Sequence, residues 1–284
     1  MQSHEKPNNV LDEKEILKKR MRKIKHKIAI ISGKGGVGKT LTAVNLAISF
    51  ALNGHENRIG LLDADLHGPS VPKMLGLEGQ KLRVGPVGAF PVLGPLGIRV
   101  VSMVFVLEGT EVPVIWRGPL KMRAIQQFLT DIVWGELDFL FIDLPPGTGD
   151  EPLSVMKLLP ELDGVIIVTI PSEVSQNVVE KSITFSRRLN IPIIGIVENM
   201  SGFVCPTCST ETHIFRSGGG EKVAKKYNIP FLGKIPIDPR ICVASDSGNP
   251  FVMENPNTPA AKSFSQIVEK IKKYIEDKEK TDEK

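Results

Sequence analysis

From Lys27 onward the chain alternates short, almost wholly apolar runs with longer stretches in which apolar residues recur at helical spacing. The short runs, residues 27–32, 58–63, 98–103, 138–143, 165–170, 193–199 and 231–235, have the length of strands. Several are apolar at nearly every position rather than at alternate ones, as a parallel sheet covered on both faces requires. Helices are expected over 39–53, 119–133, 174–189, 220–227 and 259–277, with Gly54 stopping the first and Pro119 starting the second. This alternation predicts an α/β fold, a single domain built on a doubly wound, mostly parallel sheet.

The Gly- and Pro-rich stretch 79–97 reads as loop or irregular hairpin, and 200–217 as an inserted loop that carries Cys205-Pro206-Thr207-Cys208. The expected organisation is a basic leader (1–26), one domain (27–277) and a polar tail (278–284). Leader and tail are too charged to pack and are expected to be mobile.

Composition narrows the class without naming it. With 284 residues, 41% of them hydrophobic and 24% charged, the chain can bury a core and lacks the signature of disorder. Much of the net charge of +4 comes from Lys18, Lys19, Arg20, Arg22, Lys23, Lys25 and Lys27. No aromatic residues interleave with this run, so it reads as a solvated, partly helical leader, and no nucleic-acid partner is expected. No stretch approaches the roughly 18 apolar residues of a membrane span, and the start is polar, so no membrane partner and a cytoplasmic location are expected. The apolar positions Phe264, Ile267, Val268, Ile271 and Ile275 of the last helix are expected to pack on the sheet rather than on a lipid surface. Three cysteines suit a reducing compartment better than a disulfide scaffold.

The chemistry starts at Gly33-Lys34-Gly35-Gly36-Val37-Gly38-Lys39-Thr40, directly after the strand run Ile28–Ile31. Two glycines with four residues between them, then Lys and Thr, form a phosphate-binding loop. The glycines let successive N–H groups turn toward phosphate oxygens at a helix N-terminus. Lys39 is expected to reach the β- and γ-phosphates of ATP, and Thr40 to offer its hydroxyl to Mg²⁺. A metal held there needs a carboxylate at the end of a neighbouring strand, and Asp143, before Leu144-Pro145-Pro146-Gly147-Thr148-Gly149-Asp150, is that candidate. Asp63 and Asp65 end another strand, so one carboxylate can hold Mg²⁺ while the other orients the attacking water.

Cys205 and Cys208 are spaced to grip one metal centre, but a zinc site or a [4Fe–4S] cluster usually takes four protein ligands. Cys242 lies more than thirty residues away, so two chains around a two-fold axis complete the set most simply. Zinc held with His213, or free or redox-active thiols, remain open alternatives. Cys242 reads as a buried structural residue.

Lys34, two residues after Ser32, makes the loop resemble the deviant Walker A class, which includes MinD- and ParA-type ATPases and the nitrogenase iron protein. Together with Asp63-Ala64-Asp65-Leu66-His67-Gly68-Pro69-Ser70, the Asp143 segment and the Cys pair, the chain is similar over about 27–273 to the Mrp/NBP35 family of iron–sulfur cluster carriers. The leader lacks the amino-terminal cysteines of one branch of that family. The resemblance implies a homodimer in which Lys34 reaches the partner's ATP, Asp65 lies in the first switch and Asp143 begins the second. It also implies that Asn199 contacts adenine, with Pro236 to Asp238 near the base; by position alone Asn199 ends a strand on the ligand side or is a turn residue. The function implied is an ATP-hydrolysing scaffold that carries a cluster to client apo-proteins. A MinD/ParA-type positioning or partitioning ATPase is the alternative, and it has no use for the Cys pair.

Overall fold

The computed structural model describes residues 9–66, 68–106, 118–205, 207–208 and 210–282, and for 9–13, 118 and 282 the backbone alone. Helix α1 (Asn9–Met21) precedes strand β1 (Ile24–Ile31), the phosphate-binding loop and helix α2 (Lys39–Phe50). A single π turn (Ala51–His55), in which Gly54 takes φ 91°, leads to β2 (Ile59–Asp63). Then come α3 (Val71–Met74), the small strands β3 (Arg83–Gly85), β4 (Gly88–Phe90), β5 (Val92–Leu93) and β6 (Arg99–Val101), and α4 (Gly118–Thr130). The second half runs β7 (Leu137–Asp143), α5 (Asp150–Leu158), β8 (Gly164–Thr169), α6 (Glu173–Arg188), β9 (Ile193–Val204), β10 (Glu211–Thr212) and α7 (Gly219–Tyr227). It ends with β11 (Phe231–Ile237), α8 (Pro239–Ser247), α9 (Phe251–Glu254) and α10 (Pro259–Asp282).

Among the described residues nine strands form one sheet in the order β10-β9-β8-β1-β7-β2-β6-β5, with β11 also paired to β9. β10 and β5 pair antiparallel with their neighbours, while the body of the sheet is parallel. The apolar strand runs explain this: Ile28 and Ile30 face the core under α2 and α10, whereas Ala29 and Ile31 face the core under α4 to α7. Side chains alternate across a strand, so a sheet buried on both faces needs apolar residues at both parities. In α10 the expected stripe is buried throughout, at Phe264, Ile267, Val268, Ile271 and Ile275. Among the described residues no helix is long and apolar enough to cross a membrane.

The structure corrects several sequence-based boundaries. The stretch 79–97 does hold a hairpin, β3 with β4. The leader, however, is not a mobile appendage over its described part: α1 occupies Asn9–Met21, Met21 and Ile24 are buried, and β1 begins three residues early. Its basic residues are partly spent on the fold. Arg20 donates to the carbonyls of Ile132 (3.2 Å) and Val87 (2.8 Å), and Lys27, whose pKa burial lowers, donates to Ile24 O at 3.1 Å. The missed signal is Leu17 amid the charges, together with the apolar anchors Met21 and Ile24. Helix α10 likewise continues past Lys278 to Asp282. Residues 1–8 and 283–284 lie outside the described residues.

At the edge of the sheet remote from the phosphate loop, Asp138 accepts from Lys25 (2.9 Å), His55 (3.0 Å) and Arg58 (3.3 Å), tying β7 to β1 and to the segment before β2. Burial alone would raise its pKa, but these donors outweigh burial and hold the carboxyl down to about 2 from 3.8. A carboxyl whose folded pKa is depressed contributes stability above its unfolded pKa and loses it as pH falls through the folded one. Asp138→Asn is therefore expected to cost about 1–2 kcal/mol at neutral pH, discounted for the exposure of Lys25. In denaturant melts the gap from wild type should close between pH 4 and pH 2; a gap independent of pH would show that the ion pairs contribute nothing.

Candidate functional site

Three strand ends meet at one edge of the parallel sheet. β1 runs out into Gly33–Thr40, β2 ends at Asp63 and β7 at Asp143, with Ile30 and Asp63 both in register with Asp143. In open α/β sheets this carboxyl edge is where ligands bind.

The loop needs its glycines for different reasons. Gly36 and Gly38 have φ of 76° and 82°, a region that other residues enter at a cost. Gly38 also caps α2, and a Cβ there would lie 2.1 Å from Asn199 Nδ2. At Gly33 a Cβ would lie 2.2 Å from Val178 Cγ1, because α6 packs against the loop, whereas Gly35 borders open space. Lys34 is half-buried, and its carbonyl accepts from the Ser32 hydroxyl at 3.0 Å. Val37 is buried under the loop, and its carbonyl accepts from Asn199 Nδ2 at 2.9 Å. The sequence-predicted Asn199 thus meets the phosphate loop itself, as a brace.

Beneath the loop, Lys39 Nζ donates to Asp143 Oδ1 at 2.7 Å and Thr40 Oγ1 donates to Asp143 Oδ2 at 2.6 Å. Asp143 is fully buried; burial raises its pKa, and the Lys39 charge only partly offsets that. The three residues expected to handle phosphate and magnesium are therefore in mutual contact. Past them, Gly147, at φ 96°, donates its N–H to Ser32 O at 2.8 Å.

Asp63 and Asp65 separate in role. Asp63 is buried, and its Oδ2 accepts from Ser102 Oγ at 3.1 Å and Val71 N at 3.4 Å, while Oδ1 accepts from Asp65 N at 3.3 Å. Burial first, then the neighbouring Asp143 charge, pushes its carboxyl well above the usual range. These partners suit Asp63 as the pin of the segment leading to α3 rather than as a ligand facing outward. Asp65 is half-buried and lies beyond the strand end. Ser102 was not legible in the sequence, since a lone serine after an apolar run carries no mark of its partner.

The Cys-bearing segment is not a simple loop. β9 continues past Asn199 to Val204 and turns back as β10, with Val204 opposite Glu211 and Phe203 opposite Thr212. Cys205 N donates to Thr210 O at 3.0 Å, closing the turn; Cys205 is half-buried and Cys208 exposed. A hydrogen bond with Thr210 Oγ1 (3.3 Å), aided by neighbouring Cys205, holds the Cys208 thiol below its ordinary pKa. The pair ends a strand and does not open a helix, unlike a thioredoxin-type motif. His213 is turned to Glu211 at 3.7 Å, and among the described residues no group of three His, Cys, Asp or Glu side chains gathers as a metal site. Cys242 corrects its expectation: it is exposed on α8, not buried.

The base of this hairpin depends on Glu198, which sequence reasoning overlooked. Fully buried, it accepts from Ser201 Oγ (2.5 Å), Gly218 N (2.8 Å) and Gly220 N (2.5 Å), so its charge meets the N-terminus of α7. A carboxylate following the apolar run Ile193–Val197 was the available signal. Further out, a cavity of about 560 Å³ is lined by the end of β9, Cys205, Pro236 to Asp238, and the starts of α8 and α10. Asp238 also caps α8, accepting from Arg240 N at 3.0 Å.

The chain is similar to known proteins over most of its length. Residues 23–272 match the family described as NUBPL iron-transfer P-loop NTPase, within the ParA group. An iron–sulfur cluster carrier protein of Saccharolobus solfataricus is 51% identical over 90% of this chain and 86% of its own. One of Methanocaldococcus jannaschii is 52% identical over 92% and 89%. Among solved structures, a nucleotide-binding protein of Archaeoglobus fulgidus in complex with ADP superposes with a TM-score of 0.76 at 42% identity, covering 87% of this chain and 95% of that one. The cell division ATPase MinD of Pyrococcus furiosus, 24% identical over 87% and 98%, shares the fold with a TM-score of 0.65.

The close approach of Gly38 and Asn199 yields a test. Asn199→Ala leaves the buried Val37 carbonyl without its donor and is expected to cost about 1–3 kcal/mol. Gly38→Ala adds backbone strain of about 1–2 kcal/mol to the clash with Asn199. Chemical denaturation of the double variant should show less than the sum of the two, because removing the Asn199 amide clears the space for the new methyl. A fully additive pair would mean that the contact does not shape the loop.

Proposed function

The chain belongs to the NUBPL iron-transfer P-loop NTPase family, and from that premise we propose that it uses ATP binding and hydrolysis to take up an iron–sulfur cluster between two copies of itself and pass it to apo-proteins. The observation that carries this reading is that β9 holds a residue that braces the phosphate loop, Asn199, and leads directly into the first of two paired thiols, Cys205.

Lys39, Thr40 and Asp143 supply an ammonium, a hydroxyl and a carboxylate at mutual distances of 2.6–3.3 Å, the donor set for a triphosphate with Mg²⁺. On binding, the phosphates replace Asp143 as the partner of Lys39, which frees Asp143 to serve the metal side with Thr40. Magnesium there would neutralise charge on the β- and γ-phosphates. Asp65 orients water for attack, and Lys34 of a second copy compensates charge that develops in the transition state. The base extends into the cavity beside Pro236 and Asp238, with Asn199 between it and the loop.

The cluster is cargo. Two thiols per chain, one of them with a lowered pKa, fit half of a four-thiolate set, and a second copy supplies the rest. Val174, Ile214 and Phe215 are exposed, and the ion pair of Arg216 with Glu173 joins the hairpin segment to the start of α6, an apolar margin suited to such a contact. A zinc ion would use the same two-chain arrangement, since His213 does not join the pair in one chain.

Lys39→Ala is expected to abolish Mg-ATP binding, and Asp65→Asn to keep binding but slow hydrolysis about 100-fold. After anaerobic reconstitution, wild type should hold about four iron atoms per two chains. Cys205→Ala and Cys208→Ala should each lose them while Cys242→Ala keeps them. Wild-type iron and sulfide uptake by Cys205→Ala would favour the positioning ATPase instead.

A further inference from the structure

The cavity beyond the phosphate loop and the thiol pair are not separate places. From Asn199, strand β9 runs four residues to Phe203, a reach of at most about 13 Å. Over that distance Met200 and Gly202 take φ of 55° and 78°, and the pairing with β11 shifts register between Ile235 and Ile237. The bend delivers the end of the strand to the cavity, where Phe203, Val204 and Cys205 line the wall together with Pro236 and Ile237. Cys205 also lies beside the Cys208 thiol. Its volume of about 560 Å³ is that of a small-molecule pocket. The apolar walls with helix starts at the rim suit a flat heterocycle with acceptor nitrogens at its edge.

We infer that Cys205 belongs to both sites at once, as a ligand of the cargo and as part of the wall against which the purine base of the bound nucleotide lies, so that base occupancy controls access to this thiol and not to Cys208. The inference rests on the nucleotide and thiol assignments proposed above, but it is a claim about their overlap. It makes the two thiols of one motif inequivalent: Cys208, exposed at the turn, is open to metal donors and clients in every nucleotide state, whereas Cys205 changes with the base. Because coupling between two ligands is reciprocal, whatever factor the nucleotide imposes on the pair, a metal at the pair imposes on the nucleotide.

The experiment is alkylation of the full, metal-free chain with iodoacetamide, read at each cysteine by peptide mass spectrometry. It is run without ligand, with ADP and with inorganic tripolyphosphate, each polyphosphate at a concentration that calorimetry shows to be saturating. The expected result is that ADP slows modification of Cys205 at least about fivefold, that Cys208 and Cys242 keep their rates, and that tripolyphosphate, which fills the loop but has no base, gives no protection. Unchanged modification of Cys205 in the ADP complex overturns the inference. So does equal protection by tripolyphosphate, because the effect would then travel through the loop and not through the cavity. Failure of the chain to bind ADP would remove the nucleotide assignment and this inference with it. Failure to bind iron after reconstitution would count against the carrier reading alone and leave the alkylation result standing.

Discussion

The buried contact between Lys39 and Asp143 sets the terms for the rest of the site. Both groups are withdrawn from water, which costs several kcal/mol per ion unless each finds a partner of opposite charge. Neither is supplied by a flexible surface segment: Lys39 opens the helix that follows β1, and Asp143 ends the strand beside it. The parallel register of β1, β7 and β2 therefore has to be right before the charges can meet at all. A phosphate bound in this loop would compete with the carboxylate for the same ammonium, so on the proposed reading nucleotide binding is an exchange of anions and not the filling of an empty hole.

Around that pair the chain uses other carboxylates to hold backbone in place. Asp63 gathers the start of the following segment and Ser102, and Glu198 gathers the two ends of the Cys hairpin. Each is buried among strand residues, where an unpaired charge would be untenable and a fully hydrogen-bonded one is rigid. The result is a sheet edge on which half-buried groups such as Asp65 sit on segments whose roots are fixed. Rigid roots with exposed tips are what the switch segment and the metal-exchanging turn proposed above would both need.

What the sequence made legible follows from the kind of signal each feature leaves. The strands of the central sheet were visible because burial on both faces forces apolar residues at every position, and the phosphate loop because its backbone demands glycine at fixed spacing. The packed stripe of α10 was visible by its period. Helix α1 was visible only as a partly helical leader, and its packing was not, since its charges mask the apolar residues that lock it down; the extension of β9 to Val204 was hidden too, because its Asn, Ser and Gly residues imitate a loop. Asn199 as a brace on Val37, Ser102 on Asp63 and Glu198 on Gly218 join residues 162, 39 and 20 positions apart. Such pairings leave no local trace, because any polar residue at the end of a strand looks alike until the neighbouring strand is known.

The bent end of β9 also fixes a length. The left-handed residues Met200 and Gly202 and the pairing of Phe203 with Ile237 set where the strand ends, so adding or removing one residue between Asn199 and Cys205 shifts that end out of register with β11. The thiol would then leave the cavity wall and the turn that joins it to Cys208 while the phosphate loop stayed intact. In most surface segments a one-residue insertion is absorbed by slack. Here the segment acts as a ruler, and it constrains spacing more strictly than it constrains which amino acids lie between its two ends.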